Sequence, residues 1–225
     1  MKKNTLKSNH PENISFSVGS LECIEYYFEK LNLNLILKSL KKKGHNIVSL
    51  TKLLVNQKLG DNLSISKCHE FGNQIETLNR FNLKPFHKKA FYRTLETLGE
   101  SFGHIIGLTN NKLSELNNFS VERVNIDWSS VILYGTKSNL GAHGYSRDHR
   151  PDKEQITFGV ANVGSKADCP LALTIQKGNV PDVVHFEDTF RQSSKHVEKE
   201  TLYVFDKGAN SKENLDLIRK KICIF

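Results

Sequence analysis

Two aspartates in the second half of the chain are candidates for a chemical function. Asp127 lies inside residues 123–134, a stretch rich in β-branched and aromatic residues. An unpaired carboxylate is costly to bury in such a place. Asp206 directly follows a similar stretch, residues 201–205, and precedes Lys207-Gly208. On these residues alone a second interpretation stays open, in which Asp127 is a strand-edge residue and Asp206 a turn former.

Two converging carboxylates would form a site for hard cations. Carboxylate oxygens are typical ligands of Mg²⁺ and Mn²⁺. A pair of such ions activates water and stabilises the leaving oxygen in phosphodiester cleavage. If the two stretches are neighbouring strands, about 4.8 Å apart, Asp127 and Asp206 converge near the carboxyl edge of the sheet, where ligand sites form.

The elements after residue 117 have an order that makes those strands neighbours. Strands are predicted at residues 123–134, 155–163, 171–176 and 201–205, and helices from 181 or 182 to about 195 and over 211–221. The order β-β-β-α-β-α predicts an α/β fold whose fourth strand pairs in parallel with the first through a helical crossover. It is the opening of a ribonuclease H-like mixed sheet. Trp128 should face the opposite side, in the core.

The first half of the chain has helical periodicity instead. Apolar residues recur at helical spacing from residue 21 to about 108. Two helices are predicted at 64–80 and 85–99, joined by a turn at 82–84, with a proline opening the second helix and a glycine closing it.

These patterns predict an all-α region at residues 1–118 and an α/β region at 119–225. Net charge is +8 and the pI about 9.2. Residues 1–120 hold 17 Lys and Arg against 10 Asp and Glu, whereas residues 121–225 hold 15 against 14. The excess positive charge therefore belongs to the first half, and it favours a polyanionic partner.

Basic residues on the second predicted helix suggest how such a partner is bound. Lys88, Lys89 and Arg93 fit a helix-turn-helix whose second helix reads DNA. A helical hairpin with a solvated basic face fits equally well. Residues 41–43 before Gly44 predict a helix end, and no function is assigned to them.

The loop between the first two strands, residues 135–154, is a second candidate for DNA contact. Arg147, Arg150 and Lys153 are predicted to grip DNA phosphates beside the acidic pair. The alternative is a solvated hairpin loop. His143 and His149 lack metal-ligand spacing and are interpreted as polar surface.

Several classes of protein are excluded or disfavoured. No run of 18 apolar residues and no secretory leader is present, so no membrane span is expected and the protein is predicted to be cytoplasmic. The four cysteines form no Cys-x-x-Cys pair, which disfavours a zinc ribbon and a disulfide framework.

Four stretches in the second half resemble the DDE transposases of insertion sequences, in the branch with a large insertion late in the catalytic domain. The stretches are residues 125–131, 144–155, 177–182 and 205–215. The resemblance implies that Asp127 and Asp206 are the first two catalytic acids and ligands of Mg²⁺ or Mn²⁺ in a two-metal site. It also implies double-stranded DNA partners, namely terminal inverted repeats and target DNA, and self-association as a homodimer.

One feature of the family has no counterpart. No residue matches the third acid, a glutamate on a helix after the fifth strand, and residues 222–225 resemble the beginning of that strand. A truncated transposase, complete in DNA binding but not in cleavage, is therefore expected. Two alternatives stay open: a non-enzymatic regulator that occupies transposon ends, and a ribonuclease H-like nuclease acting on RNA or a Holliday junction.

Overall fold

A computed structural model describes residues 19–41, 43–60, 62, 64–117, 121–135, 137–145, 149–164 and 170–221. The chain divides into two compact units, unit 1 (residues 1–105) and unit 2 (residues 106–225). The division falls within one helix, ahead of residue 118, where the sequence pattern places the domain boundary. No helix in the described ranges is long and apolar enough to cross a membrane.

Unit 1 is helical in its described residues. Its helices are α1 (Gly19–Lys30), α2 (Leu33–Leu40), α3 (Ile47–Leu59), α4 (Ile65–Gly72), α5 (Ile75–Arg80) and α6 (Lys89–Glu100), and α7 (Phe102–Asn117) begins in it. Asn46 caps α3, because its side-chain oxygen accepts a hydrogen bond from the Ser49 N–H at 3.1 Å. Helix α3 supplies Leu50 and Leu53 to one apolar cluster and Val48 to another, so it is the central helix of this unit.

The prediction of one helix over residues 64–80 is wrong in one respect, because the helix is interrupted between α4 and α5. The Asn73 amide nitrogen donates to the His69 carbonyl at 3.0 Å and to the Phe86 carbonyl at 3.2 Å. Gly72 lies against the Phe86 ring, and a Cβ at Gly72 would lie 2.9 Å from the ring edge. Gly72 and Asn73 therefore lie at the end of α4, and both contact Phe86 further along the chain.

The same contacts explain why the next helix begins later than predicted. Asn73 Oδ1 accepts from the Phe86 N–H at 3.0 Å, and His69 Nε2 donates to the Phe86 carbonyl at 2.8 Å. With both backbone groups of Phe86 bound to side chains of the preceding segment, the proline at residue 85 does not open a helix, and α6 begins at Lys89. The short turn at 82–84 is also wrong, since residues 81–88 link α5 to α6, whereas a helix-turn-helix uses three to four.

Unit 2 contains the predicted mixed α/β arrangement. Its elements after α7 are β1 (Arg123–Ile132), β2 (Gln155–Val163), β3 (Pro170–Lys177), α8 (Asp182–Ser193), β4 (Leu202–Phe205), a 3₁₀ turn (Lys207–Ala209) and α9 (Lys212–Lys220). The sheet order is β3-β2-β1-β4, with β1 antiparallel to β2 and parallel to β4. The fold class and the parallel pairing of the first and fourth strands are confirmed.

One face of this sheet is covered by α8. Phe186 and Phe190 are fully buried and stack with ring centroids 5.7 Å apart. Phe186 also contacts Trp128, which is 3 % exposed, and Phe190 contacts Tyr203. The prediction that Trp128 lies in the core is confirmed. Alternate residues of β1 must then face away from α8, and Asp127 is among them.

Candidate active site

The parallel register of β1 and β4 brings the two aspartates together. Asn125 is opposite Val204 and Ile126 is opposite Phe205, so the next position in each chain is Asp127 and Asp206. Parallel neighbours lie about 4.8 Å apart across the sheet. Both aspartates are exposed, whereas Ile126 beside Asp127 is buried. Both carboxylates are therefore exposed, each one residue beyond the last β1–β4 pair.

Each carboxylate is oriented by one backbone donor. The Trp128 N–H donates to Asp127 Oδ1 at 2.8 Å, and the Gly208 N–H donates to Asp206 Oδ1 at 3.4 Å. Asp206 also begins the 3₁₀ turn, with the Ala209 N–H donating to its carbonyl at 3.1 Å. Within the described ranges the second oxygen of each carboxylate accepts no hydrogen bond and meets no cation. One oxygen of each aspartate is thus held in place and the other is available.

This donor set suits Mg²⁺ or Mn²⁺. Mg²⁺ is commonly bound by one or two carboxylates, keeps several waters and takes further oxygens from phosphate substrates. Asp127 on β1 and Asp206 directly after β4 can supply such ligands. In the part of the chain that the structure describes, no group of three His, Cys, Asp or Glu residues comes together, so these two carboxylates are the acidic ligands available here.

The second and third stretches that carry the family resemblance meet at the end of β3. Gln155 is buried, and its side-chain nitrogen donates to the Tyr145 carbonyl at 2.7 Å and the Gly178 carbonyl at 3.1 Å. Gly144 and Gly178 lie so close that a Cβ on Gly144 would overlap the Gly178 carbonyl. Gln155 and the two glycines therefore fasten the β1–β2 loop to the β3–α8 turn, which is a structural role.

A groove that the sequence did not predict lies beside this junction. It has a volume of about 270 Å³, and its lining includes Tyr145, Thr157, Asp182 and Gly208. Gly208 is the residue whose N–H holds Asp206. Residues from three of the four stretches thus line one groove next to the Asp206 turn. The order of these stretches is apparent from the sequence, whereas their proximity depends on the crossover through α8.

The described loop residues predicted to bind DNA form ion pairs within the loop, and DNA binding by them stays a prediction. Arg150 forms a two-bond ion pair with Asp152, with N–O distances of 2.8 and 2.9 Å, and Lys153 Nζ lies 3.8 Å from the same carboxylate. Hydrogen bonding from Arg150 lowers the pKa of Asp152 to about 2, and the pKa of Arg150 is raised in return. The positive charge of Arg150 is therefore partly offset within the loop. Arg147 lies outside the described residues.

The predicted DNA-binding residues of unit 1 lie at the beginning of α6. Lys88 precedes the helix, and its Nζ donates to Ser66 Oγ at 3.2 Å. Lys89 and Arg93 are exposed on the first two turns. All three line a pocket that also contains Lys41 and His45. The segment that contains Lys41 has no function predicted from the sequence.

Comparison with known proteins leaves the family open. No protein-family model matches the chain, and no curated protein matches it either. Among solved structures, a Mos1 transposase paired-end complex with the left transposon end is 9% identical, with a TM-score of 0.33, covering 95% of this chain and 69% of that one. A pre-cleavage Mos1 transpososome is 8% identical, with a TM-score of 0.29, covering 82% and 60%. Similarity at this level carries no argument about the activity of this chain.

Proposed function

We propose that this chain is a DNA-binding protein of the transposase type, with Asp127 and Asp206 as ligands of catalytic Mg²⁺ or Mn²⁺. Its substrates would be double-stranded transposon ends and target DNA, and its chemistry would be strand cleavage and strand transfer. Self-association on paired ends is proposed by analogy. The observation that supports the proposal best is the parallel β1–β4 register, after which the next residue of each segment is an exposed aspartate.

The two aspartates would act by position and charge. Bound divalent ions would supply a nucleophile at neutral pH and neutralise charge on the phosphate. Asp127, fixed by the Trp128 N–H, and Asp206, fixed by the Gly208 N–H, would each offer a free oxygen towards the same place. Restraint of one oxygen on each carboxylate reduces the entropy lost when the other becomes a ligand.

Metal binding tests the site independently of cleavage. Mn²⁺ added to the full chain should broaden the NMR signals of residues around Asp127 and Asp206, and Asp127→Asn or Asp206→Asn should weaken the effect by at least tenfold in Mn²⁺ concentration. Glu213→Gln is the matched control, since Glu213 is exposed nearby in sequence on the first turn of α9. Equal broadening in all four proteins would refute the ligand assignment.

Cleavage tests the chemistry. The full chain should be incubated with transposon-end DNA and Mg²⁺. Nicking that disappears in Asp127→Asn and Asp206→Asn, but persists in Glu213→Gln, would support the proposal. Nicking that survives both aspartate substitutions would show that another site does the chemistry.

A second candidate, a DNA-binding regulator without cleavage, is favoured by the uneven charge. The first 120 residues carry +7 and the remainder +1. Such a protein would bind transposon ends without divalent metal and with unchanged affinity in Asp127→Asn. If the protein shows no salt-dependent affinity for DNA, both candidate functions are contradicted.

A further inference from the structure

A pocket in unit 1 is lined almost entirely by basic side chains. Its volume is about 550 Å³, and it is formed by two segments of the chain, the α2–α3 connection and the beginning of α6. The first segment contributes Lys41, Gly44 and His45. The lining residues from the second segment are His87, Lys88, Lys89, Ala90 and Arg93.

Among the residues that the structure describes, no acidic side chain lines this pocket. In the described part of the chain, Lys41, Lys88, Lys89 and Arg93 form no ion pair. Two other basic residues of unit 1 do have carboxylate partners. Lys52 pairs with Glu25, and Arg80 pairs with Glu22. Like charges gathered without a counter-charge repel one another, and an anion in the pocket would relieve that repulsion.

The α2–α3 connection is shaped to present two of these groups together. Gly44 has φ +103°, which L side chains rarely adopt, and a Cβ there would lie 3.3 Å from Lys41 Cε. The turn places Lys41 Nζ 2.9 Å from His45 Nδ1. The same ammonium lies 3.5 Å from His45 Nε2, so it contacts both ring nitrogens. A protonated His45 has an N–H donor on each ring nitrogen.

The beginning of α6 adds a favourable dipole. Lys88 precedes the helix with no side-chain cap, and no acidic residue lies in the first turn. The Ala90 and Phe91 N–H groups donate to the His87 and Lys88 carbonyls at 2.8 and 3.1 Å, so the attraction for an anion here is that of the helix dipole. This contribution is secondary to the side chains, which come from both segments and face one pocket.

We infer that this pocket binds a phosphate group through Lys41, His45 and Arg93. The inference deepens the proposed function, in which the phosphate belongs to the DNA backbone and the beginning of α6 is docked against it. Free inorganic phosphate is the other source of the same chemistry. In either case Lys41 and His45 become ligand contacts, although the sequence pattern around them indicated only a helix end.

Occupation of the pocket would change the protonation of His45. Burial and then the positive charges of Lys41 and Arg93 lower the pKa of His45. Lys88, Lys89 and His87 face it from the α6 segment. A bound anion offsets these charges, so the pKa of His45 should rise on binding, and binding should take up a proton and tighten as the pH falls.

The first experiment uses inorganic phosphate and the full chain. The His45 ring signal is titrated by NMR in phosphate and in chloride at equal ionic strength, with the signal of the exposed His104 as internal reference. We expect a higher His45 pKa in phosphate, and no phosphate-dependent difference in Lys41→Gln. Identical His45 titrations in the two salts would overturn the inference, whatever the protein does with DNA.

The second experiment identifies the source of the phosphate. Lys41→Gln and Arg93→Gln should each weaken binding of a 20-base-pair duplex about tenfold, the order expected for one charge-assisted hydrogen bond, and reduce the salt slope by about one. Lys58→Gln is the control, because it removes the same charge at the far end of α3, roughly 16 Å from Ile47.

The outcomes separate the two proposals. A response to phosphate with unchanged DNA affinity in the variants would assign the pocket to free phosphate. DNA binding that is intact in the variants, together with no response to phosphate, would refute the pocket and leave the proposed function standing. A response to phosphate without any DNA binding would refute the proposed function and leave the pocket.

Discussion

In the core of unit 2, on the side of the sheet opposite Asp127, there are positions with no space for a larger side chain. Gly159 lies on β2 between buried polar side chains of the core. A Cβ at this position would lie 2.6 Å from Thr189 Oγ1, 2.7 Å from Trp128 Nε1 and 2.9 Å from Thr174 Oγ1. These atoms belong to buried side chains and cannot move towards solvent.

Gly159→Ala should therefore destabilise unit 2. Overpacking of a core by one methyl group costs about 1–3 kcal/mol, which urea denaturation followed by fluorescence would measure. Gly107→Ala is the control, because a Cβ there meets nothing within 4 Å and alanine favours a helix. A stable Gly159→Ala protein would mean that the polar cluster is looser than the distances indicate.

His185 should make stability depend on pH. It is 1 % exposed, and its Nε2 lies 2.8 Å from Thr174 Oγ1, while its Nδ1 is buried without a hydrogen-bond partner. Burial lowers its pKa, although Asp188 and Asp182 act in the opposite direction. The unfolded chain therefore binds a proton more readily than the folded protein below about pH 6.5.

The free energy of unfolding should consequently fall as the pH drops below about 6.5, by at most about 1.4 kcal/mol per pH unit for this histidine. The loss ends below the folded-state pKa. His185→Gln should reduce the slope by about one proton, with the remainder due to His45 and His196, whose pKa values burial also lowers. Parallel pH profiles for the two proteins would contradict this assignment.

At the scale of elements, Asn73 determines where two helices end and begin. Its amide joins the end of α4 to both backbone groups of Phe86. Asn73→Ala should destabilise unit 1 by roughly 1–3 kcal/mol, because the backbone groups of a partly buried segment lose their partners. Asn79→Ala, on the exposed face of α5, should change stability by less than about 0.5 kcal/mol. Equal effects of the two changes would show that the bridge contributes nothing.

At the scale of the whole molecule, each unit buries a core of its own. Leu53 and Phe91 are fully buried in unit 1, and Phe186 and Ile218 in unit 2. The single tryptophan of the chain, Trp128, lies in the core of unit 2, so its fluorescence reports on that unit. Most helical residues of the described ranges belong to unit 1, so circular dichroism weights unit 1 more heavily.

We therefore expect the two probes to separate in a variant. Asn73→Ala should lower the unfolding midpoint measured by circular dichroism while leaving the midpoint measured by Trp128 fluorescence close to its original value. Gly159→Ala should do the reverse. A common shift of both probes in both variants would show a single cooperative transition instead.

The sequence by itself determined the pattern of unit 2. Alternating β-branched residues, glycines and helix starts placed the strands and helices within a few residues, because each depends on local periodicity and turn chemistry. Helix α8, for example, was expected from residue 181 or 182 and begins at Asp182. The order of these elements also favoured β1 beside β4, since parallel neighbours need a crossover of this length.

Only the tertiary structure decided the rest. The lengths of α4 and α6 depend on Asn73 reaching Phe86, 13 residues away, and local propensity contains no sign of that contact. The meeting of Lys41 and His45 with Arg93 likewise depends on packing between distant helices. The register that puts Asp127 and Asp206 directly after the last β1–β4 pair also depends on tertiary structure, because the two residues are far apart in the chain and only the crossover through α8 makes their strands neighbours.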